Sequence, residues 1–142
     1  MLIAASAALL AGCSSTPDLD AAAAQRTYDP VVREIADNTT AAAGLRWTER
    51  SQGSVGATTS GCTWFSRSFT AETDPGSAPR WDRVIAATEA TLRKHGFASA
   101  TPSELKGGYT GVESVDKRGA RVTIAAKGRA SLQITVPVTD PC

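Results

Sequence analysis

Apolar side chains recur at helical spacing in two segments of the chain. In the first, Asp29 suits the N-cap, Pro30 suits the first helical position, and Gly44 suits the left-handed residue that ends a helix. The second segment spans 79–95, with apolar positions at i, i+3, i+4, i+7 and i+11. The pattern therefore predicts two amphipathic helices. The stripe of the second consists of Trp81, Val84, Ile85, Thr88 and Leu92.

Alternation of apolar and polar residues, the period of a half-buried strand, occurs in five further segments. The Gly-, Ser- and Thr-rich stretch 51–61 predicts a loop, and Thr101-Pro102-Ser103-Glu104 has the form of a capping box, which predicts one helical turn. Strands joined by hairpins and separated by helices are typical of an α+β fold. We therefore predict two helices on a largely antiparallel sheet of about five strands, in the order α-β-β-α-β-β-β. The predicted strands are 45–51, 62–70, 109–115, 121–126 and 129–138.

The N-terminal segment has the pattern of a bacterial lipoprotein signal. An apolar run over 2–11 closes in Leu10-Ala11-Gly12-Cys13, the form of a lipobox, and a polar stretch follows. The run is too short for a membrane-spanning helix, which needs about twenty apolar residues. We therefore predict that 1–12 is a signal peptide and that the thiol of Cys13 is lipidated. A signal usually begins with Lys or Arg, so we expect the true start upstream of Met1; a core helix with a chance cysteine and an ordinary secretory signal are the alternatives.

The predicted lipid anchor divides the rest of the chain into two parts. Residues 13–28 are polar or alanine-rich, so we predict a lipidated Cys13 followed by a flexible tether. Residues 29–142 then form a single α+β domain, as expected for this length. Two or three acyl chains, such as palmitate, would hold Cys13 stably in lipid, whereas one chain binds only marginally. The predicted location is the outer, extracytoplasmic face of the cell membrane.

Two cysteines remain when Cys13 is assigned to the lipid. Export places Cys62 and Cys142 in an oxidising compartment, where an even pair predicts a disulfide. The bond would close a long loop and would fix the C-terminus, which otherwise frays. A pair of metal ligands or a redox dithiol is the alternative, although neither a C-x-x-C spacing nor a nearby histidine supports it.

The composition points to no catalytic chemistry. The net charge of +1 gives no electrostatic reason to expect a nucleic-acid partner. His95 is the only histidine, and it lies at the predicted end of the second helix, where a capping role is natural. The sequence has no nucleophile elbow, zinc-ligand cluster, calcium loop or phosphate-binding glycine motif. We therefore expect no enzyme, no cofactor and no metal.

Four aromatic side chains are the candidates for a ligand site. Trp47, Trp64, Trp81 and Tyr109 could line a pocket for an apolar or glycan ligand. They could equally fill the core between the helices and the sheet, with the indole N–H groups bonded to the backbone. The core is the more frequent place for such residues.

The chain resembles the LppA-type lipoproteins of mycobacteria and related actinobacteria. The resemblance lies in the lipobox with its polar tether, in Gly61-Cys62, in the helix from Trp81-Asp82-Arg83 to Lys94-His95-Gly96, and in the strand Ala130-Ser131-Leu132 leading to Cys142. It covers most of 30–142. It implies an α+β lipoprotein with a disulfide of the same type, and it implies no established activity.

The expected function is that of a membrane-anchored lipoprotein of the cell envelope. We expect a non-enzymatic binding or interaction module whose partner is an unknown envelope protein or an apolar ligand. The alternative is a carrier that holds an apolar envelope molecule in a cavity between the sheet and the helices.

Overall fold

A computed structural model describes residues 16–72 and 80–142. The predicted signal peptide 1–12, Cys13 and the loop 73–79 lie outside the described residues. The α+β class with two helices and a largely antiparallel sheet is confirmed. The helices are α1 (Ala21–Ala43) and α2 (Arg80–Lys94). The strands are β1 (Trp47–Ser51), β2 (Ser54–Thr58), β3 (Gly61–Phe65), β4 (Ser68–Ala71), β5 (Thr101–Leu105), β6 (Tyr109–Val115), β7 (Arg121–Ala126) and β8 (Ala130–Pro137).

The described sheet has eight strands, so the prediction of about five was wrong, as was the predicted order. β8 is central: β7 pairs with one of its edges, and β3 and β4 share the other. The sheet continues from β7 through β6 to β5, from β4 to β1, and from β3 to β2. Every pairing is antiparallel, and the chain order is α-β-β-β-β-α-β-β-β-β.

A bulge divides the strand that was predicted over 62–70. Phe65 pairs with Thr135 and Phe69 pairs with Leu132, so the β3–β4 side holds one residue more than β8 between the two pairs. Ser66 fills the gap, since its Oγ accepts the N–H of Ile134 at 2.9 Å and its N–H donates to the Ile134 carbonyl at 2.8 Å. An extra residue of this kind bends a strand and interrupts its ladder.

Two segments that were predicted as non-strand belong to the sheet. The stretch 51–61 contains β2, which pairs with β3 over its whole length. The predicted helical turn at Thr101-Pro102-Ser103-Glu104 is part of β5, paired with β6. Their small and polar residues carry no strand pattern of their own, and the ladder of a neighbouring strand overrides weak local propensity.

Helix α1 begins at Ala21, nine residues before Pro30, the predicted first helical position. Asp20 is the N-cap, and its carboxylate accepts the N–H of Ala23 at 2.7 Å. Ala24 and Tyr28 are buried and continue the apolar stripe of the helix toward its N-terminus. The predicted boundary between tether and domain at 28/29 was therefore wrong, because 21–28 are helical and packed. Pro30 lies inside the helix rather than at its first position.

The two helices pack antiparallel and cover one face of the sheet. Asn38 of α1 donates to the Thr91 hydroxyl at 2.8 Å, and Arg80 donates to the Ala43 carbonyl at 2.9 Å. Gly44 ends α1 with φ 67°, as predicted. Alternate strand residues point into the helix-facing core, whose largest fully buried side chains include Ile35, Leu92, Ile124, Leu132 and Ile134.

The predicted disulfide between Cys62 and Cys142 is confirmed. It closes a loop between cysteines that are 80 residues apart in the sequence. The loss of conformational entropy in the unfolded chain then stabilises the fold by about 4–5 kcal/mol. The metal-ligand and dithiol alternatives do not apply to bonded sulfurs. Val138 donates its N–H to the Cys62 carbonyl at 3.0 Å, so backbone and disulfide both hold the tail beside β3.

The tail beyond β8 also holds the start of α1. The N–H of Thr139 donates to the Leu19 carbonyl at 2.9 Å, and the Asp140 carboxylate accepts the N–H of Ala21 at 2.5 Å. A carboxylate at this place satisfies a free helix N–H and interacts favourably with the helix dipole. The folded domain therefore begins at about Leu19.

Arg67, in the bulge between β3 and β4, links α1 to the edge of the sheet. Its guanidinium lies 2.7 Å from the Asp29 carboxylate and 2.9 Å from that of Glu49. Burial by itself would raise the pKa of Asp29, but the hydrogen bonds and charges of Arg67 and Arg33 outweigh it and lower that pKa. The hydrogen bond that Arg67 donates to Asp29 is the main cause that raises the pKa of Arg67.

We predict that Asp29→Asn lowers the free energy of unfolding at pH 7 by about 1–3 kcal/mol, between the values for exposed and buried pairs. The folded-state pKa of Asp29 is lower than its ordinary value of 3.8. The carboxylate therefore contributes fully to the free energy of unfolding above pH 3.8, and this contribution is lost as the pH falls through the folded-state pKa. Urea unfolding at pH 7 and below pH 3.8 measures the difference. Asp37→Asn, on the exposed face of α1, is the matched control. A pH-independent difference would contradict the prediction.

Candidate functional site

The structure does not bring the four predicted aromatic residues into one pocket. Trp64 and Trp81 are core residues, with 2% and 7% of their surface exposed. Trp47 is half-buried against the same core and donates its indole N–H to the Thr39 hydroxyl at 2.8 Å. Tyr109 lies on the other face of the sheet and is 41% exposed. The core alternative therefore describes where the three tryptophans lie, but not the expected backbone bonds of their indoles. Trp47 donates to a side-chain hydroxyl, and the buried Trp81 N–H has no hydrogen-bond partner among the described residues.

A cleft of about 300 Å³ lies where α1, the end of α2 and the turn between β6 and β7 meet. The N-terminal half of α1 supplies one wall, which exists because the helix starts at Ala21 rather than at the predicted position. Gly96, with φ 80°, turns the chain out of α2 at the second wall. The residues that carry the chemistry of the cleft are Tyr28, His95, Asp116, Lys117 and Arg118.

Tyr28 and Asp116 form the floor of this cleft. The Tyr28 hydroxyl donates to one Asp116 oxygen at 2.5 Å, and the other oxygen accepts the N–H groups of Arg118 and Ala120 at 2.8 and 2.9 Å. Burial, followed by the hydrogen bond and negative charge of Asp116, raises the pKa of Tyr28 far above its ordinary value. The Tyr28 ring also packs edge-on against Phe97, at 6.1 Å between centroids. The phenol is therefore a fixed, protonated donor.

His95 joins the two helices at the side of the cleft. Its Nε2 lies 2.8 Å from one Glu34 oxygen, and the Lys94 ammonium lies 2.9 Å from the other. The hydrogen bond from His95, and then that from Lys94, lowers the pKa of Glu34. The predicted role of His95 as a cap of its own helix was therefore incomplete, because the ring contacts the neighbouring helix.

The rim of the cleft is cationic. Lys117 and Arg118 follow Asp116 in the β6–β7 turn, and both are exposed. Arg118 lies 3.6 Å from the Asp18 carboxylate, a weak surface pair. The acids at the floor and side, Asp116 and Glu34, already accept hydrogen bonds at both oxygens. A ligand with an acceptor group would therefore meet donors at the rim without displacing a buried pair.

The lining of the cleft is rich in hydrogen-bonding groups. Its lining contains a protonated tyrosine and a histidine paired with a carboxylate, and no serine or cysteine is among the lining residues. Across 16–72 and 80–142, no group of three or more His, Cys, Asp or Glu side chains is placed to hold a metal ion. Within the same ranges, no helix has the length and apolar character needed to cross a membrane.

Sequence reasoning missed Tyr28 and Asp116. Tyr28 was assigned to the tether, although Ala24, Tyr28, Val31 and Ile35 follow the spacing of one helix face. Asp116 lies between the predicted strands 109–115 and 121–126, and its backbone forms the turn that joins them. Its contact with Tyr28 joins positions 88 residues apart, so no local pattern indicates it.

Comparisons with known proteins support the fold alone. No family model and no curated protein matches the chain. The crystal structure of a DUF4853 family protein from Actinomyces odontolyticus is similar, with a TM-score of 0.57 and 12% sequence identity. The similarity covers 82% of this chain and 70% of that one. At this identity it shows a shared fold and carries no information about activity.

We predict that Tyr28→Phe lowers the free energy of unfolding by about 1–3 kcal/mol, because a hydrogen bond to a charged group is lost. Tyr109→Phe, which removes an exposed hydroxyl, is the control and should change it by less than about 0.5 kcal/mol. In an absorbance titration near pH 10, the ordinary tyrosine value, the wild type and Tyr28→Phe should give equal tyrosinate signals. A wild-type signal larger by one tyrosinate would contradict a protonated Tyr28.

Proposed function

We propose that this chain is a lipid-anchored protein of the cell envelope, facing outward from the membrane, whose domain binds a partner without catalysing a reaction. The sequence Leu10-Ala11-Gly12-Cys13 after an apolar run is the observation that carries the anchoring. Cys13 is the proposed site of lipidation. The resemblance to LppA-type lipoproteins supports the same proposal.

The disulfide supports export. Cys62 and Cys142 are bonded, and structural disulfides persist in oxidising compartments and are rare in the cytosol. A lipobox and a disulfide are independent signals, because one is read by the export machinery and the other reflects the redox environment of the folded domain.

The folded domain begins only a few residues after the proposed anchor, Cys13. Only five residues, 14–18, separate Cys13 from Leu19, where contacts with the C-terminal tail begin. At 3.3–3.6 Å per residue, this segment can reach about 20 Å when extended. The proposed domain would therefore remain near the lipid surface, within reach of membrane proteins and other envelope components.

The cleft at Tyr28 and Asp116 is the proposed binding site. It combines a rigid, hydrogen-bonded floor with the cationic rim of Lys117 and Arg118. The interior favours this proposal over a carrier of an apolar molecule, because Trp81 is packed and neighbouring core residues such as Val84 and Leu92 are fully buried. A carrier would need an apolar cavity of several hundred Å³ between the layers.

We predict that Cys13→Ser moves the protein from the membrane fraction to the aqueous fraction, because the thiol that takes the lipid is removed. The measurement is fractionation of cells, followed by the intact mass of the membrane form, which should exceed the mass of the unmodified mature chain by its acyl groups. Ser15→Ala, two residues further along, is the control and should stay in the membrane. Equal membrane retention of Cys13→Ser would contradict anchoring at Cys13.

We predict that a photo-crosslinking residue at Lys117 captures one discrete partner in intact cells. The same residue at Arg83, on the exposed face of α2, is the control. Capture at both positions, or recovery of lipid and bulk membrane proteins alone, would contradict a specific partner in the cleft.

A further inference from the structure

The edges of the described sheet are protected to different degrees. A free strand edge pairs readily with another strand, and proteins usually block it with charge, proline or a covering element. The edge strand β1 carries Glu49 and Arg50, which form ion pairs with neighbouring residues. The edge strand β5 contains Pro102 and Glu104. β1 lies on the same edge as β2, because their partners β4 and β3 share one edge of β8. The β5 edge and the β1 part of the opposite edge therefore carry protection.

Strand β2 is the unprotected part of the edge that it shares with β1. Its sequence Ser-Val-Gly-Ala-Thr contains neither charge nor proline, and among the described residues it pairs only with β3. Four of its residues are exposed, and Val55 is 37% exposed despite being apolar. Its outer backbone N–H and C=O groups are therefore available to another strand.

The types of side chain along β2 are arranged symmetrically about Gly56. Ser54 and Thr58 are small hydroxyl residues at the two ends, and Val55 and Ala57 are small apolar residues on either side of the glycine. When such a strand meets an antiparallel copy of itself centred on Gly56, hydroxyl faces hydroxyl and apolar faces apolar. Opposite residues of an antiparallel ladder form either hydrogen-bonded or non-hydrogen-bonded pairs, and a two-fold axis can pass through a pair of either kind. The match therefore holds for both ways in which the two Gly56 residues can pair.

We propose that β2 is a self-association edge, which pairs with β2 of a second copy of this chain around a two-fold axis at Gly56. The two sheets then continue into one another through an isologous interface. An axis of this kind is perpendicular to the sheet, so both copies keep their helices on the same side. The two α1 helices therefore begin on one side of the dimer, which allows both chains to be tethered to one membrane.

The test is cysteine crosslinking of the full chain in its native membrane. In Gly56→Cys, the two thiols lie directly across the axis at a Cα separation of about 4.5–5.5 Å, which a disulfide can bridge. The new side chain points to the opposite face from Cys62, whose partner is Ala57, so it does not compete for the native bond. A Cβ at Gly56 meets only the edge of the Phe65 ring at 3.3 Å.

Ser54→Cys is the matched control on the same strand and face. In the proposed register, Ser54 lies about 13 Å from its own copy, four residues along the ladder, and cannot form the bond. We expect a covalent dimer with Gly56→Cys and at least tenfold less with Ser54→Cys. Equal crosslinking of the two variants, or none with a folded Gly56→Cys, would overturn the proposal.

A second measurement does not depend on Gly56. Sedimentation velocity of the lipidated chain in detergent micelles should detect a dimer, and Ala57→Lys should raise its dissociation constant at least tenfold, because a charge would lie against the partner strand. Thr48→Lys, on the edge strand β1, should leave the constant unchanged. A monomeric wild type, or equal effects of the two lysines, would overturn the proposal.

Discussion

The C-terminal tail is the constraint on which the rest of the structure depends. β8 lies at the centre of the sheet, and the residues after it are held at three places: by the disulfide to Cys62, by the bond from Thr139 to Leu19, and by the Asp140 carboxylate at the start of α1. The disulfide restricts the unfolded chain, and the two hydrogen bonds fix where the folded chain begins. Chain ends that would otherwise fray are thus held at one end of the domain.

The position of the helix start determines the candidate site. If α1 began at Asp29, Tyr28 would belong to the tether and the cleft would lose one wall and its floor. Because 21–28 are helical, Tyr28 instead donates to Asp116 and its ring packs on Phe97. The same extension shortens the proposed tether, so the proposed location of the domain near lipid and the formation of the cleft both follow from the start of α1.

Local sequence patterns predicted the parts of this fold that depend on local physics. The stripe of α2, the glycine that ends α1 and the alternation in β7 and β8 each reflect a repeat of a few residues. The parts that were missed depend on contacts between distant residues. β2 is a strand because it pairs with β3, and α1 extends to Ala21 because Asp140 of the C-terminal tail accepts the N–H of that residue. The pairing of Cys62 with Cys142 was predictable because only two cysteines remained after Cys13 was assigned.

Hydrogen exchange of the backbone amides of 24–28 tests most directly the account in which the tail orders the start of α1. With the disulfide intact, these amides should be protected to an extent similar to that of 31–43. Reduction of the disulfide should accelerate exchange first in 24–28 and in β3, and should leave β6 and β7 unchanged. Exchange of 24–28 at the rate of unstructured chain in the oxidised protein would contradict the account.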